Sequence, residues 1–247
     1  MQHLIQRIRI SILYSLTLTS IFLIGSVSAE SIGGIIEQNG VASLVRSGGE
    51  EITVSGTKIP GIELKDTAVT GNGRMLIEFL DEEELSIIEH TRIYIDEAYY
   101  DPDPSKSKMA IRMVQGTARF TSGRGKRINK SNVQLSTPTA EIAILGTDFT
   151  TTIDEIGQSL IILLPDEKTG LSSGKIIISN AGGTVTLEEA YQASIISSYD
   201  RAPSSPVVLS GIDTNMISNI FIVSEPKEIK EVKQQEGIMT EKDSGNI

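Results

Sequence analysis

The chain has 247 residues, with 22 Lys or Arg against 32 Asp or Glu, a formal charge of −10, and neither cysteine nor tryptophan. This length suffices for one sizeable core or two small ones, and the acidic balance disfavours partners recognised by neutralising phosphates or anionic lipid headgroups. Without cysteine there can be no disulfide framework, lipid-modified cysteine anchor, thiolate catalysis or cysteine metal site.

The N-terminus reads as a processing segment. Arg7 and Arg9 precede an apolar run at 10–24, and Gly25-Ser26-Val27-Ser28-Ala29 then supplies small residues before Glu30, the pattern of a secretory signal peptide cleaved after Ala29. The run falls short of the ~20 residues of a spanning helix, so no membrane span is expected once it is removed. Loss of residues 1–29 takes two basic and no acidic groups, leaving 22 − 2 = 20 basic against 32 acidic, a charge of −12.

From Ile32 to about Ser210 the pattern is of short strands with close turn punctuation. Gly33-Gly34, Asn39-Gly40, Gly48-Gly49, Pro60-Gly61 and Gly71-Asn72-Gly73 are turn signals. Between them, residues 41–46, 52–55, 62–64 and 75–80 are rich in Val, Ile and Thr, which suit a pleated surface. Met75, Ile77 and Phe79 alternate, and Leu85 and Ile87 resume after Asp81-Glu82-Glu83-Glu84, which predicts a hairpin with an acidic connection. Ile93 and Ile95 continue the alternation into the proline-containing loop that begins at Tyr99-Tyr100. Residues 111–120 change phase, with Ile111 and Met113 followed by Val114, Ala118 and Phe120, which predicts a bulge near Met113-Val114. Gly123-Arg124-Gly125-Lys126-Arg127 reads as a basic turn.

The most informative stretch is 133–153. Ala140, Ile142 and Ile144 share one strand phase, and Phe149, Thr151 and Ile153 the other. The switch falls at Leu145-Gly146, where glycine permits a corner and Thr147 can bond backbone groups that the corner frees. Pro138 belongs at a strand start or edge, because it cannot donate to a ladder. Beyond it, 160–164 is a continuous apolar run ending at Pro165, as in a strand buried on both faces. Strands follow at 175–179 and 185–187, while periodicity leaves 188–196 open between a helical turn and strands. The last apolar clusters are 207–209 and 220–223, and from Glu225 the chain alternates Lys with Glu and reads as a disordered tail.

Thr137-Pro138-Thr139-Ala140 leading into Gly146-Thr147-Asp148-Phe149 resembles the hallmark of the FecR-domain family. Gly40-Val41-Ala42-Ser43-Leu44-Val45-Arg46 is similar to that family's opening strand, residues 70–77 to its second block, and Val114-Gln115-Gly116-Thr117-Ala118 to the strand before the hallmark. The resemblance covers about residues 33–200. The family usually has an arginine before the Gly-Thr pair; Leu145 stands there, so that arginine's role does not carry over. The expected organisation is a signal peptide at 1–29, a FecR-like all-β domain at 30–210, an extension at 211–224 and a disordered charged tail at 225–247. The phase changes fit a solenoid-like roll or a two-layer β-sandwich of many short strands, and the resemblance implies the roll.

No catalytic constellation emerges. After signal removal His90 is the one histidine, which rules out a histidine-rich metal site, and no nucleophile elbow accompanies it. Asp81, Glu82, Glu83 and Glu84 could supply a carboxylate pair, but they crowd one turn and few aromatics are available to line a sugar groove. Asp96, Asp101 and Asp103 lie close in sequence without calcium-loop spacing, and Gly123-Arg124-Gly125-Lys126 lacks the spacing of a phosphate loop. No cofactor is expected. Tyr99 and Tyr100 are the candidate partner-binding residues, since interfaces enrich tyrosine; the hallmark residues Thr137, Pro138, Ala140, Gly146, Thr147 and Phe149 are assigned a structural role.

FecR-like regulators relay a signal through a cytoplasmic anti-sigma segment and a membrane helix, and here a signal peptide occupies that place. The expectation is therefore an exported, periplasmic or secreted, non-enzymatic protein-binding or sensing module of the cell envelope. Its edge strands and the 99–104 loop would be the contact surfaces. The alternative is a structural envelope protein that binds glycans or assembles with itself.

Overall fold

The computed structural model describes residues 31–56 and 59–221; the signal peptide expected at 1–29 and the charged tail expected at 225–247 lie outside them. The strands are β1 (Ser31–Val45), β2 (Glu51–Val54), β3 (Gly61–Glu63), β4 (Thr67–Phe79), β5 (Glu84–Ile87), β6 (Arg92–Tyr99), β7 (Lys108–Thr121), β8 (Val133–Ser136), β9 (Glu141–Leu145), β10 (Asp148–Ile153), β11 (Ser159–Leu163), β12 (Lys175–Asn180), β13 (Gly183–Leu187), β14 (Gln192–Ile196) and β15 (Val207–Val208). A 3₁₀ turn at Lys130–Asn132 and one short helix, α1 (Thr214–Ile220), complete the described elements. The all-β expectation holds, and the segment at 188–196 left open by periodicity contributes strand β14.

All the described strands join one 15-stranded sheet. Its pairs are antiparallel except β7–β8, which run parallel, Met109 opposite Val133 through Arg112 opposite Ser136. The sheet wraps a single main core to which strands from β1 to β14 contribute, including Leu44, Ile77, Ile111, Phe149 and Ile178. Burial of each such side chain is worth about 1.5–3 kcal/mol, and with no disulfide this apolar burial and the ladders carry the fold.

Three strands are long because each serves two sets of neighbours, and each changes phase at the point of exchange. In β7, residues 108–115 lie beside β6, and residues 118–121 lie between β5 and β10. Register shifts where Arg92 faces Gln115 and Ile93 faces Met113, leaving Val114 as the extra residue. The expected bulge therefore exists, but Val114 is 41% exposed rather than in the core phase. Gly116 completes the change at φ +92°, with a Cβ there 2.4 Å from Thr91 Oγ1. Core phase passes from Ile111 and Met113 to Ala118 and Phe120 across it.

Three glycine-containing segments expected at turns lie within strands instead. Gly33-Gly34 and Asn39-Gly40 belong to β1, and Gly71-Asn72-Gly73 to β4. Gly40 stands opposite Gly73 where the β1–β4 register shifts, so the glycines accommodate a bulge in a long ladder, not a chain reversal. Pro138, expected at a strand start or edge, lies instead outside the strands, in the tight connection between β8 and β9.

A second, smaller apolar cluster forms on the outer face. Ile162, Leu164 and Ala193 are covered by Ile217 and Phe221 of the C-terminal segment. Asp213 caps α1, its side chain accepting the Met216 N–H at 2.8 Å, and Arg74 donates to the Ile220 carbonyl at 2.7 Å.

Candidate functional site

The Gly146–Thr147 corner sits at one wall of a surface groove. Gly146 has φ +68°, a left-handed conformation that glycine adopts without penalty, and it separates β9, paired with β8 and β12, from β10, paired with β7 and β11. Thr147 holds the corner: its N–H donates to Ser122 Oγ and its hydroxyl meets Ser173 Oγ, both at 3.0 Å. Ser173 Oγ also accepts the Asp148 N–H at 3.0 Å and donates to the Leu164 carbonyl at 2.7 Å. At the other end of the hallmark, Thr137 Oγ1 accepts the Ala140 N–H at 3.0 Å and the Ser159 hydroxyl at 2.9 Å, closing the β8–β9 connection. Phe149 is fully buried, its ring 5.7 Å from that of Phe120.

The groove has a volume of about 600 Å³. Its floor follows from ladder register: Glu78 faces Glu84, Glu84 faces Thr121, and Thr121 faces Asp148, one row across β4, β5, β7 and β10. In the adjacent row Ser86 faces Arg119. The segment after β11, with Asp166, Glu167 and Lys168, forms one rim; Glu82, Gly123 and Arg124 form another.

Arg119 organises this surface. Its guanidinium meets Asp148 with two bonds, at 2.9 and 2.5 Å, and Glu167 at 3.2 Å. Burial works against the Arg119 charge, but the bidentate bond to Asp148 and the Glu167 carboxylate outweigh it and hold the group above its ordinary value. Across the groove Glu84 is pushed up, by burial first and then by the charge of the facing Glu78. Like charges directly opposed across two strands are destabilising, and neither carboxylate forms an ion pair among the described residues.

Sequence reasoning did not single out Arg119, Glu78 or Asp148. The available signal was the alternation itself, which puts Glu78 and Arg119 on the face opposite Phe79 and Phe120; nothing local indicated that the two faces belong to one groove.

The acidic turn, set aside above as a carboxylate pair, has its acids directed to different surroundings. Asp81 and Glu83 have fully buried side chains and share Lys130, at 3.0 and 2.6 Å. Asp81 also accepts the Arg127 N–H at 2.6 Å, which ties the 123–130 segment onto this turn. Glu82 points outward with φ +64°. His90 is exposed with φ +57°, its N–H bonded to the Gly71 carbonyl at 3.0 Å. Asp96 is engaged by Arg112 at 2.9 and 2.8 Å, while Asp101 and Asp103 accept N–H groups from within their own loop, at 2.8 and 3.1 Å. No group of three or more His, Asp or Glu is placed to hold a metal among the described residues.

The two tyrosines separate. Tyr99 is 58% exposed and donates to Asp101 Oδ2 at 3.0 Å. Tyr100 turns inward, packed against the main core, where burial and the nearby Glu83 and Asp81 push its phenol up. The loop they begin is joined to the 123–132 segment by bonds from Asn129 N–H to the Pro104 carbonyl at 3.0 Å and from Asn132 Nδ2 to Ser105 and Ser107 carbonyls, both at 2.9 Å.

Residues 31–56 and 59–221 thus carry an all-β fold with a charged groove beside its Gly-Thr corner. Residues 65–164 match the family model described as FecR protein, a span that holds β4 through β11 together with the groove's floor and the corner. No curated protein matches the chain. A crystal structure of a candidate anti-sigma factor from Parabacteroides distasonis ATCC 8503 is similar at 14% identity and a TM-score of 0.41, over 55% of this chain and 56% of that one. The chain therefore spans little more than half of that structure. No helix among the described residues is long and apolar enough to cross a membrane.

Proposed function

We propose that this is an exported, non-enzymatic FecR-like protein that serves as a protein-binding or sensing module in the cell envelope. The observation that carries the reading is the groove at the Gly146–Thr147 corner, whose floor lies inside the FecR-matched span and whose charges are held in place by the Arg119–Asp148 pair. Charges so fixed suit recognition of a complementary partner surface. The acid pair of the β4–β5 turn is spent on Lys130, which supports binding over turnover.

In this reading residues 1–29 are removed during export, 30–210 form the recognition domain, and 211–224 are an extension ahead of the charged 225–247 tail. Tyr99 supplies an exposed aromatic contact, and Tyr100 anchors its loop. The partner is an envelope protein.

The test is a crosslinked pull-down of the full chain from envelope extract, beside Glu84→Lys and Tyr99→Ser variants. A discrete protein partner recovered with the parent and lost with either variant is the expected result. Recovery of wall polymer alone would move the protein to a glycan-binding structural role. Recovery of neither sinks the binding reading.

A further inference from the structure

We propose that the outer edge of β13 is a self-association surface, at which two copies of this chain pair antiparallel and continue the sheet through a two-fold axis at Val185. β13 stands at the end of the strand order and pairs with β12 alone. In an antiparallel ladder every second residue turns its N–H and C=O away from its neighbour, so the far side of β13 presents a row of these groups. Among the described residues, no backbone bond joins Thr184, Val185 or Thr186 to a segment other than β12.

Sheet edges are ordinarily blunted by charge, proline, bulges or shortness, and the other terminal edges of this sheet are. β2 opens with Glu51 directly after Glu50. β3 has three residues and shifts register against β1. β15 has two residues. β13 carries none of these devices: Gly183-Thr184-Val185-Thr186-Leu187 is uncharged and stays in unbroken register with β12.

Symmetry and charge identify the occupant as a second copy. Centred on Val185, the register sets Val185 against Val185 and Thr184 against Thr186, a favourable cross-strand pair, and no charge meets its like. Carried outward, Glu188 and Glu189 of one copy reach the Ala181-Gly182 turn of the other. Arg201 packs on that same turn, its carbonyl carbon 2.3 Å from where a Gly182 Cβ would stand. Both Glu189 and Arg201 are exposed, and neither belongs to an ion pair among the described residues. One two-fold operation therefore brings an acid to a base twice, as an isologous interface requires.

The chain has no cysteine, so register can be read directly. Thr184→Cys and Thr186→Cys proteins, mixed as full chains and oxidised, should give a disulfide-linked dimer. Each alone should not, because diagonal neighbours lie at roughly 7–8 Å, beyond the reach of a disulfide. By sedimentation, Glu189→Arg or Arg201→Glu should each weaken the dimer by roughly fivefold, the scale of exposed ion pairs made twice. The double variant should recover parental affinity, a rescue that a folding defect would not produce. A single-chain mass at every concentration overturns the proposal. So does a dimer whose cysteines crosslink equally well mixed or alone, or one that ignores the charge exchange.

Discussion

Lys130 brings its ammonium nitrogen to 2.6 Å from Glu83 Oε1, joining the 3₁₀ turn that precedes β8 to the connection between β4 and β5. Glu83 is fully buried, as is Asp81, which takes the same ammonium at 3.0 Å. One cation thus serves two interior carboxylates, and the pairing fixes how the 123–130 segment closes over the turn beside the groove.

Lys130→Met should cost about 3–5 kcal/mol, because it strands two buried carboxylates without a counter-charge. Urea denaturation would measure it. Adding Asp81→Asn and Glu83→Gln to Lys130→Met should return part of the loss; if the triple variant is no more stable than the single one, the cost does not arise from stranded charge.

Burial pushes Glu83 above its ordinary value, and Lys130 only partly counters this. The folded protein therefore holds the Glu83 proton to higher pH than the unfolded chain does. The Glu83 contribution is most favourable below the unfolded carboxylate value and declines as pH rises from there through the folded value. Compared with Glu83→Gln, the parent should lose relative stability on going from about pH 4.5 toward neutrality. Denaturant midpoints of the two proteins across that window would check it, and parallel curves would contradict it.

Gly116 and Gly146 both have positive φ, but their surroundings differ. A Cβ on Gly116 would stand 2.4 Å from Thr91 Oγ1 and 2.5 Å from Thr91 Cα, whereas one on Gly146 meets nothing within 4 Å. Gly146→Ala should cost about 1–2 kcal/mol, the left-handed penalty alone. Gly116→Ala should cost clearly more, since backbone must shift as well. Thermal melts of the two variants would rank them, and the reverse order would refute the account.

Arg119 and Asp148 are 13% and 10% exposed and meet through two bonds. Arg119→Lys keeps the charge but loses the planar fork, so it should destabilise by about 1–3 kcal/mol. Asp148→Asn should cost a similar amount. A double-mutant cycle with both changes should show coupling of at least about 1 kcal/mol; additive losses would mean that the pair does not organise the groove.

Phe221→Ala removes part of the cover from the outer cluster of Ile162, Leu164 and Ala193, a satellite separate from the main core. Amide exchange across 212–221 should accelerate while the interior strands β7 and β10 keep their protection. Equal acceleration everywhere would show that the C-terminal segment is integral to the global fold.

Much of the architecture was legible because strand alternation reports burial locally. The phases around Met75, Ile77 and Phe79, around Ile142 and Ile144, and around Phe149 and Ile153 all point into the core as read. Gly146 was readable as a corner because a phase change and a glycine coincide. Gly40 and Gly73 misled, since a glycine at a ladder bulge and one at a turn look alike until the opposing strand is known. Val114 was misassigned for a related reason: the two-residue period resumes one step later, after the bulge has used up a residue.

The sequence alone determined that the chain is β-rich and cysteine-free, that its apolar runs alternate about a Gly-Thr corner, and that its hallmark resembles the FecR family; each depends on residues close in the chain. Only tertiary structure decided which charges meet. It drew Lys130 to Asp81 and Glu83 across more than forty-five residues, Arg119 to Asp148 across 29, and Tyr100 inward while Tyr99 stayed out. Those outcomes depend on which strands become neighbours and in what register, and ladder register is set by the packing of the whole sheet rather than by any one strand's residues.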